Sequence, residues 1–391
     1  MSEAVKPFRI HASDEQLADL KRRLLAARWP DKESVADWSQ GMPLAYAHAL
    51  CDYWAHDYDW RDREARLNRF DQFKTEIDGV SIHFIHVRSK HADALPLVMT
   101  HGWPGSIAEF HKVIEPLTDP TAHGGDAADA FHLVCPALPG YGFSGKPTEA
   151  GWSVERIARA WSVLMQRLGY DQYVAQGGDW GSMVTTAIGL QDRAMCLGIH
   201  LTMPIVAPDP ATLSDLTPAE KSALAGLKKY RAEGSGYARQ QGTRPQTLGY
   251  GLADSPAGQA AWVVEKYQAW MDCDGHPEHV LTRDELLDQV MLYWLPNSAT
   301  SSARLYWESF AKVNRDTVEI PTGVSLFPKE IFRSSRRWAE ARFKNIIHWR
   351  EFDQGGHFAA LERPDVLVDE IRACFRPLRG GVAQTPAQAT T

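Results

Sequence analysis

The sequence predicts an α/β protein: a mostly parallel central sheet with helices on both faces, a helical insertion ahead of the last strands and a helical extension at the N-terminus. Two patterns predict it. From "PLVMT" (Pro96 to Thr100) onward, short apolar runs alternate with longer helical stretches, which is how a parallel sheet assembled from strand-helix units reads. Between Ile205 and Asn314 that alternation stops and helical segments dominate, after which strands return. A chain of 391 residues that is 44% hydrophobic and 10% aromatic can bury a large core around such a sheet.

The elements follow in order. "SDEQLADLKRRLLAARWP" begins with a capping box, Ser13 and Gln16, sets Leu17, Leu20 and Leu24 on one helical face, and stops at Pro30. The Trp- and Tyr-rich stretch from Trp38 to Trp60 reads as packed helix. Two β-like runs then flank Asp78-Gly79, a hairpin signal. After the strand at Pro96 comes a second in "FHLVCPALPG". A helix in "SVERIARAWSVLMQRLGY" follows, with Ile157, Trp161, Leu164 and Leu168 on one face and Gly169 placed to cap it. The run around Val174, a helix from about Gly181 and the strand-like "CLGIHLTM" complete the first part. "TPAEKSALAGLKKYRAE" and "RDELLDQVMLYW" represent the insertion. Strands resume at "TGVSLF" and "NIIHWREF", with a helix around Trp338 between them and a closing helix from Ala359 to Phe375. The small, polar end "RGGVAQTPAQATT" has too few apolar groups to offset the entropy of ordering it, and is expected to be disordered.

Composition excludes several partners. The net charge is −7 with both signs mixed along the chain, so there is no basic stripe for nucleic acid. The beginning of the sequence has no apolar leader, and no window holds the roughly 18 apolar residues a membrane span requires. No membrane anchor is therefore expected. Cys51, Cys135, Cys196, Cys273 and Cys374 are odd in number and scattered, which reads as buried thiols in a reducing, cytoplasmic setting without a metal site.

Three strand ends carry chemistry. "QGGDWGS" (Gln176 to Ser182) has the small neighbours that a strained strand-to-helix turn needs to lift one side chain into a pocket, with Asp179 at its apex. On its own this turn could equally be an N-cap for the next helix. "THGWPGS" (Thr100 to Ser106) ends an earlier strand, where backbone N–H groups can stabilise an oxyanion. "QGGHFAALERPD" presents His357 after a Gly-Gly turn at the end of the last strand. A base histidine needs a carboxylate to set its tautomer; Glu330 in "GVSLFPKE" follows a strand end and is preferred. Asp316 and Glu319 precede that strand, and Asp353 is too close in sequence to be aimed well.

Together "HGWPGS", "GGDWGS", "FPKE" and "GGHFAALERPD" resemble the microsomal-type epoxide hydrolases of the α/β-hydrolase superfamily, and "KPFRIHASDEQLADLKRRLLAARWP" is similar to that family's N-terminal region. The likeness spans nearly the whole chain. It implies an α/β-hydrolase fold divided into an N-terminal region with the first hairpin (1–94), two parts of the core (95–204 and 315–377), a helical lid (205–314) and a disordered tail (378–391). It implies Asp179 as nucleophile, His357 as water-activating base and Glu330 as its acid partner. Matching the lid segments residue by residue assigns Tyr237 and Tyr306 as proton donors, and the resemblance also implies the backbone N–H groups of Trp103 and Trp180 as the oxyanion hole.

The chemistry is coherent. A saturated epoxide carbon needs a nucleophile already charged at neutral pH, which a carboxylate is and a serine is not. The departing oxygen is a strongly basic alkoxide that phenols can protonate. The implied reaction turns an apolar epoxide and water into a vicinal diol with no cofactor, a detoxification-type activity; a homodimer is left open. Two rivals remain: a haloalkane dehalogenase with the same nucleophile, where halide leaves unprotonated and calls for N–H donors, and a non-catalytic binding protein of this fold.

Overall fold

The computed structural model describes residues 3–312 and 314–381. Its sheet has nine strands: β1 (Lys6–Phe8), β2 (Gln72–Ile77), β3 (Val80–Val87), β4 (Leu95–Thr100), β5 (Phe131–Pro136), β6 (Tyr173–Gly177), β7 (Cys196–Leu201), β8 (Thr322–Leu326) and β9 (Ile346–Glu351). Their order is β1-β2-β3-β5-β4-β6-β7-β8-β9. The pairs from β5 through β9 are parallel, whereas β1-β2, β2-β3 and β3-β5 are antiparallel. The β2-β3 hairpin turns at Asp78 and Gly79, both with positive φ (49° and 78°), the backbone a two-residue turn of matching twist demands. β1 was not foreseen, because three residues are too few to show a period.

Every residue of β4, β6 and β8 is buried. Helices therefore cover both faces, which is what a parallel sheet needs. From β4 the chain crosses to β5 on one side and then returns to β6 on the other. The loops leaving β4 and β6 diverge at that reversal, where open α/β sheets bind ligands. "THGWPGS" and "QGGDWGS" are those two loops.

The helices Pro218–Lys229, Gly236–Thr243, Pro245–Asp254, Pro256–Trp270, Arg283–Trp294 and Ala299–Ser309 lie between β7 and β8. They leave from the carboxyl end of β7 and so stand over the same edge of the sheet. The first helix, Asp14–Leu25, has the expected capping box and buries Leu20 and Leu24. The Trp- and Tyr-rich stretch is a 3₁₀ turn over Trp38–Gln40 and α-helix over Leu44–His56, with Trp60–Leu67 following. Two expectations need correction at the end of the chain. The closing helix is broken into Ala359–Glu362 and Pro364–Phe375, because Pro364 forces Arg363 out of helical geometry (φ −136°, ψ 59°). The stretch expected to be disordered from 378 begins inside a 3₁₀ turn, Arg376–Gly381, from which Leu378 packs on the core; residues 382–391 lie outside the described residues. The five cysteines are buried and unpaired. Among the described residues no helix is long and apolar enough to cross a membrane.

The N-terminal helices are fastened to the insertion by a polar clamp. Arg63 Nε donates to both Asp288 oxygens at 2.9 and 3.0 Å, its Nη2 also reaches Oδ2, and the Tyr58 hydroxyl donates to Oδ1 at 2.8 Å. Arg63 and Asp288 side chains are each only 11% accessible. Removing one partner of a buried pair strands the other charge, at about 3–5 kcal/mol. Arg63→Ala should therefore lower the free energy of unfolding by about 3 kcal/mol in urea titration, and adding Asp288→Leu should restore much of the loss. Equal stability of Arg63→Ala and the parent would contradict the clamp.

Candidate active site

Asp179 sits between β6 and the helix Trp180–Gln191 with φ 50° and ψ −127°. A non-glycine backbone in that region costs about 1–3 kcal/mol, so the surroundings must hold it there. Ser182 does part of this: its amide donates to Gly178 O and Asp179 O, and its hydroxyl donates to Gly177 O at 2.7 Å. Gly181 does another part, because a Cβ there would overlap the Thr100 carbonyl at the end of β4. The side chain of Asp179 makes no cap bond to its helix. Its Oδ1 instead accepts from the Trp103 amide at 2.8 Å, and the N-cap reading falls away.

The loop carrying Trp103 is pinned by His101. The Nδ1 of this buried imidazole lies 2.9 Å from Gly102 O, and its Nε2 accepts from the Leu138 amide at 3.2 Å. Burial pulls its pKa down to about 4, so the ring is neutral, with Nδ1–H as the donor. Gly102 allows the close approach: a Cβ at this position would overlap the Asp179 carboxylate. The Trp180 amide opens the neighbouring helix and is one of the donors that have no intrahelical partner. The Trp180 side chain has a contact of its own, edge-on to Tyr306 with centroids 4.8 Å apart.

On the other side of Asp179, its Oδ2 lies 3.4 Å from His357 Nε2, and His357 Nδ1 lies 2.7 Å from Glu330 Oε1. All three side chains are buried, and the Ile331 amide also donates to Glu330 Oε1. The rivals are elsewhere: Asp316, Glu319 and Asp353 are exposed. Burial opposes a charge on His357, but Glu330 and Asp179 outweigh it and hold the imidazole pKa well above its ordinary range. The loop is fixed to the insertion helix Pro256–Trp270, since the His357 amide donates to Trp270 O at 3.0 Å and Glu362 bridges the amides of Asp272 and Phe358.

Tyr237, on Gly236–Thr243, and Tyr306, on Ala299–Ser309, are 5% and 2% exposed, with ring centroids 5.7 Å apart. Trp103 stacks on Tyr237 at 5.0 Å and meets Tyr306 edge-on at 5.8 Å. Burial pushes both phenols well above their usual pKa, so they remain protonated donors. The predicted residues thus converge: a carboxylate held at one oxygen, faced by a histidine-carboxylate pair, under two phenols.

Several neighbours had no signal in the sequence. Trp270 stands edge-on to His357 at 5.0 Å. Glu109, four residues after Gly105, has its carboxyl pushed up to about 8 by burial, against the opposing influence of His357. Tyr230 lies beside Tyr237. No local pattern marks any of the three, and only folding brings them to the site.

Comparison with known proteins supplies the family. Residues 5–110 match the family described as epoxide hydrolase N terminus, and residues 96–243 match the alpha/beta hydrolase fold. A protein of Stigmatella aurantiaca, provisionally named an epoxide hydrolase, is 55% identical over 96% of this chain and 86% of its own. Epoxide hydrolase 1 of Sus scrofa is 35% identical over 95% and 88%. The crystal structure of juvenile hormone epoxide hydrolase from Bombyx mori superposes with a TM-score of 0.90 at 30% identity, covering 97% of this chain and 96% of that one. The Aspergillus niger epoxide hydrolase structure gives 0.87 at 35%, covering 96% of each.

Gly102 offers a direct check on the site's geometry. Gly102→Ala should push the Asp179 carboxylate off the Trp103 amide; a displacement near 1 Å can cost about 100-fold in turnover. The expected result is that loss with an unchanged circular dichroism spectrum, and parental turnover would contradict the close approach.

Proposed function

From the premise that this chain belongs to the epoxide hydrolases of the α/β-hydrolase fold, we propose that it opens epoxides through a covalent ester on Asp179 and frees the diol with water activated by His357. The chain is an epoxide hydrolase; the residue roles are our reading. The observation that carries it is the line Glu330–His357–Asp179–Trp103, with the two phenols above.

Asp179 Oδ2 attacks a ring carbon from behind. A C–O bond forms, the ring C–O bond breaks, and its electron pair goes to the departing oxygen. Tyr237 or Tyr306 gives that oxygen a proton and is left as phenolate. The product is a hydroxyalkyl ester whose carbonyl oxygen is Oδ1, already paired with the Trp103 amide.

Ester formation also changes His357. Two carboxylates hold its pKa up in the resting enzyme, so the ring begins as the imidazolium; alkylation removes the charge of one, the pKa falls, the ring sheds that proton to solvent and can act as a base, and it takes a proton back from solvent once Asp179 is a carboxylate again. Neutral His357 takes a proton from water while the water oxygen adds to the Asp179 carboxyl carbon. The resulting oxyanion sits on Oδ1, where loss of one such donor costs roughly 3–4 kcal/mol. Collapse breaks the ester bond, the diol oxygen takes the proton from His357, and Asp179 loses the remaining water proton to become a carboxylate again. The phenolate regains a proton.

A halide leaving group would need no proton, so two buried phenols favour oxygen over halide as the group displaced. With pure protein, a styrene-type oxide should yield diol while a chloroalkane releases no halide. Asp179→Ala should make no diol. His357→Gln should accumulate one substrate-sized mass increment on the intact protein, because alkylation survives and hydrolysis does not. Diol from the alanine variant, or substrate binding by the glutamine variant without the adduct, would overturn the two-step scheme.

A further inference from the structure

Tyr237 must lose a proton in each turnover in which it serves as the acid and must recover one before the next. Its ring is enclosed by Trp103 at 5.0 Å, Trp270 at 5.2 Å and Tyr306 at 5.7 Å, and only 5% of the residue is exposed. Recovery from bulk water therefore needs a path. The Tyr237 hydroxyl lies 3.1 Å from the hydroxyl of Tyr230, a half-buried residue at the edge of the lid.

That contact depends on an irregular backbone. Residues seven apart on a straight α-helix are displaced by about 10 Å along its axis, too far for two hydroxyls to meet when both side chains lean the same way. Here Tyr230–Gly234 form a π-helical turn, and Ser235 (φ −88°, ψ 2°) redirects the chain into the helix Gly236–Thr243. Single π-helical turns are uncommon and occur frequently at functional sites. The turn also seats Tyr230 edge-on to Phe332 at 5.0 Å.

The direction of the bond follows from hydroxyl valence. A phenol has one proton to donate, so when Tyr237 aims its proton at the epoxide oxygen, it must accept from Tyr230. We propose that Tyr230 is the proton relay between solvent and Tyr237: after ring opening it passes its hydroxyl proton to the Tyr237 phenolate and is reprotonated by water. This rests on the acid role of Tyr237 given above. The protons balance. One is released to solvent when Asp179 returns to its carboxylate, and one is taken up through Tyr230. The acidities run the right way, since burial pushes Tyr230 up to about 12 but Tyr237 well beyond its usual range. Lys266 Nζ, 4.7 Å from the Tyr237 ring centroid, is placed to steady the transient phenolate. Tyr230 acts through Tyr237 and has no role in touching substrate.

The test uses the full-length protein and styrene oxide, with Tyr230→Phe and Tyr237→Phe compared in stopped-flow and steady-state assays. Tyr230→Phe should release its first equivalent of diol at nearly the parental rate, then turn over about 10-fold more slowly or worse, up to the roughly 100-fold or more that a general acid contributes. The ultraviolet difference band of tyrosinate should build up during that slow phase. A merely structural contact would move neither the burst nor the band. If Tyr230→Phe shows parental turnover, or slows first and later turnovers equally without the band, the relay is wrong. Tyr237→Phe separates the two layers: if it slows the first turnover while Tyr230→Phe is silent, only the relay fails. If Tyr237→Phe is itself silent, the acid role and the relay fail together.

Discussion

The backbone of Asp179 is held at a positive φ so that one carboxylate can face two different demands. Its Oδ1 accepts the Trp103 amide and its Oδ2 turns toward His357, and almost every local feature serves that split. Gly102 and Gly181 vacate the space, His101 pins the Trp103 loop, and Ser182 closes the turn. The strain of about 1–3 kcal/mol is small beside a sheet whose central strands are buried along their whole length. The reversal of strand order at β4 is what brings the two loops together.

Electrostatics divide the site into two halves with opposite tasks. On the sheet side, His357 lies between two carboxylates, so its basicity depends on whether Asp179 carries a charge. On the side of the helical insertion, burial keeps Tyr237 and Tyr306 protonated. The same desolvation therefore keeps the phenols neutral above and is overruled by charge below. The polar clamp of Arg63, Tyr58 and Asp288 ties the helical insertion to the N-terminal helices, which connects that region to the site without giving it a reacting group.

Much of this was legible from sequence for identifiable reasons. Alternating strands and helices, the capping box at Ser13 and the Asp78-Gly79 turn are local signals, and each has a short-range physical cause. Asp179, His357 and Glu330 were readable because strand ends in a parallel sheet converge, and because four motifs occurred in one order. Tyr237 and Tyr306 were legible only through resemblance; helical periodicity alone would have filed them with the core. What escaped depends on long-range contact: β1 pairs with a strand more than sixty residues away, Trp270 reaches His357 across the insertion, and Tyr230 meets Tyr237 through a π-helical turn that no pattern announced. The break at Arg363 escaped although Pro364 was in plain view, because apolar periodicity continued through it.

The central claim is that the diol's new oxygen comes from Asp179 and only later from water. One turnover with excess enzyme in oxygen-18 water tests it most directly. The account predicts unlabelled diol from that first turnover and oxygen-18 in the peptide containing Asp179, found by mass spectrometry after proteolysis. Label in the first diol, with Asp179 unlabelled, would mean that water attacks the epoxide itself, and would contradict the account.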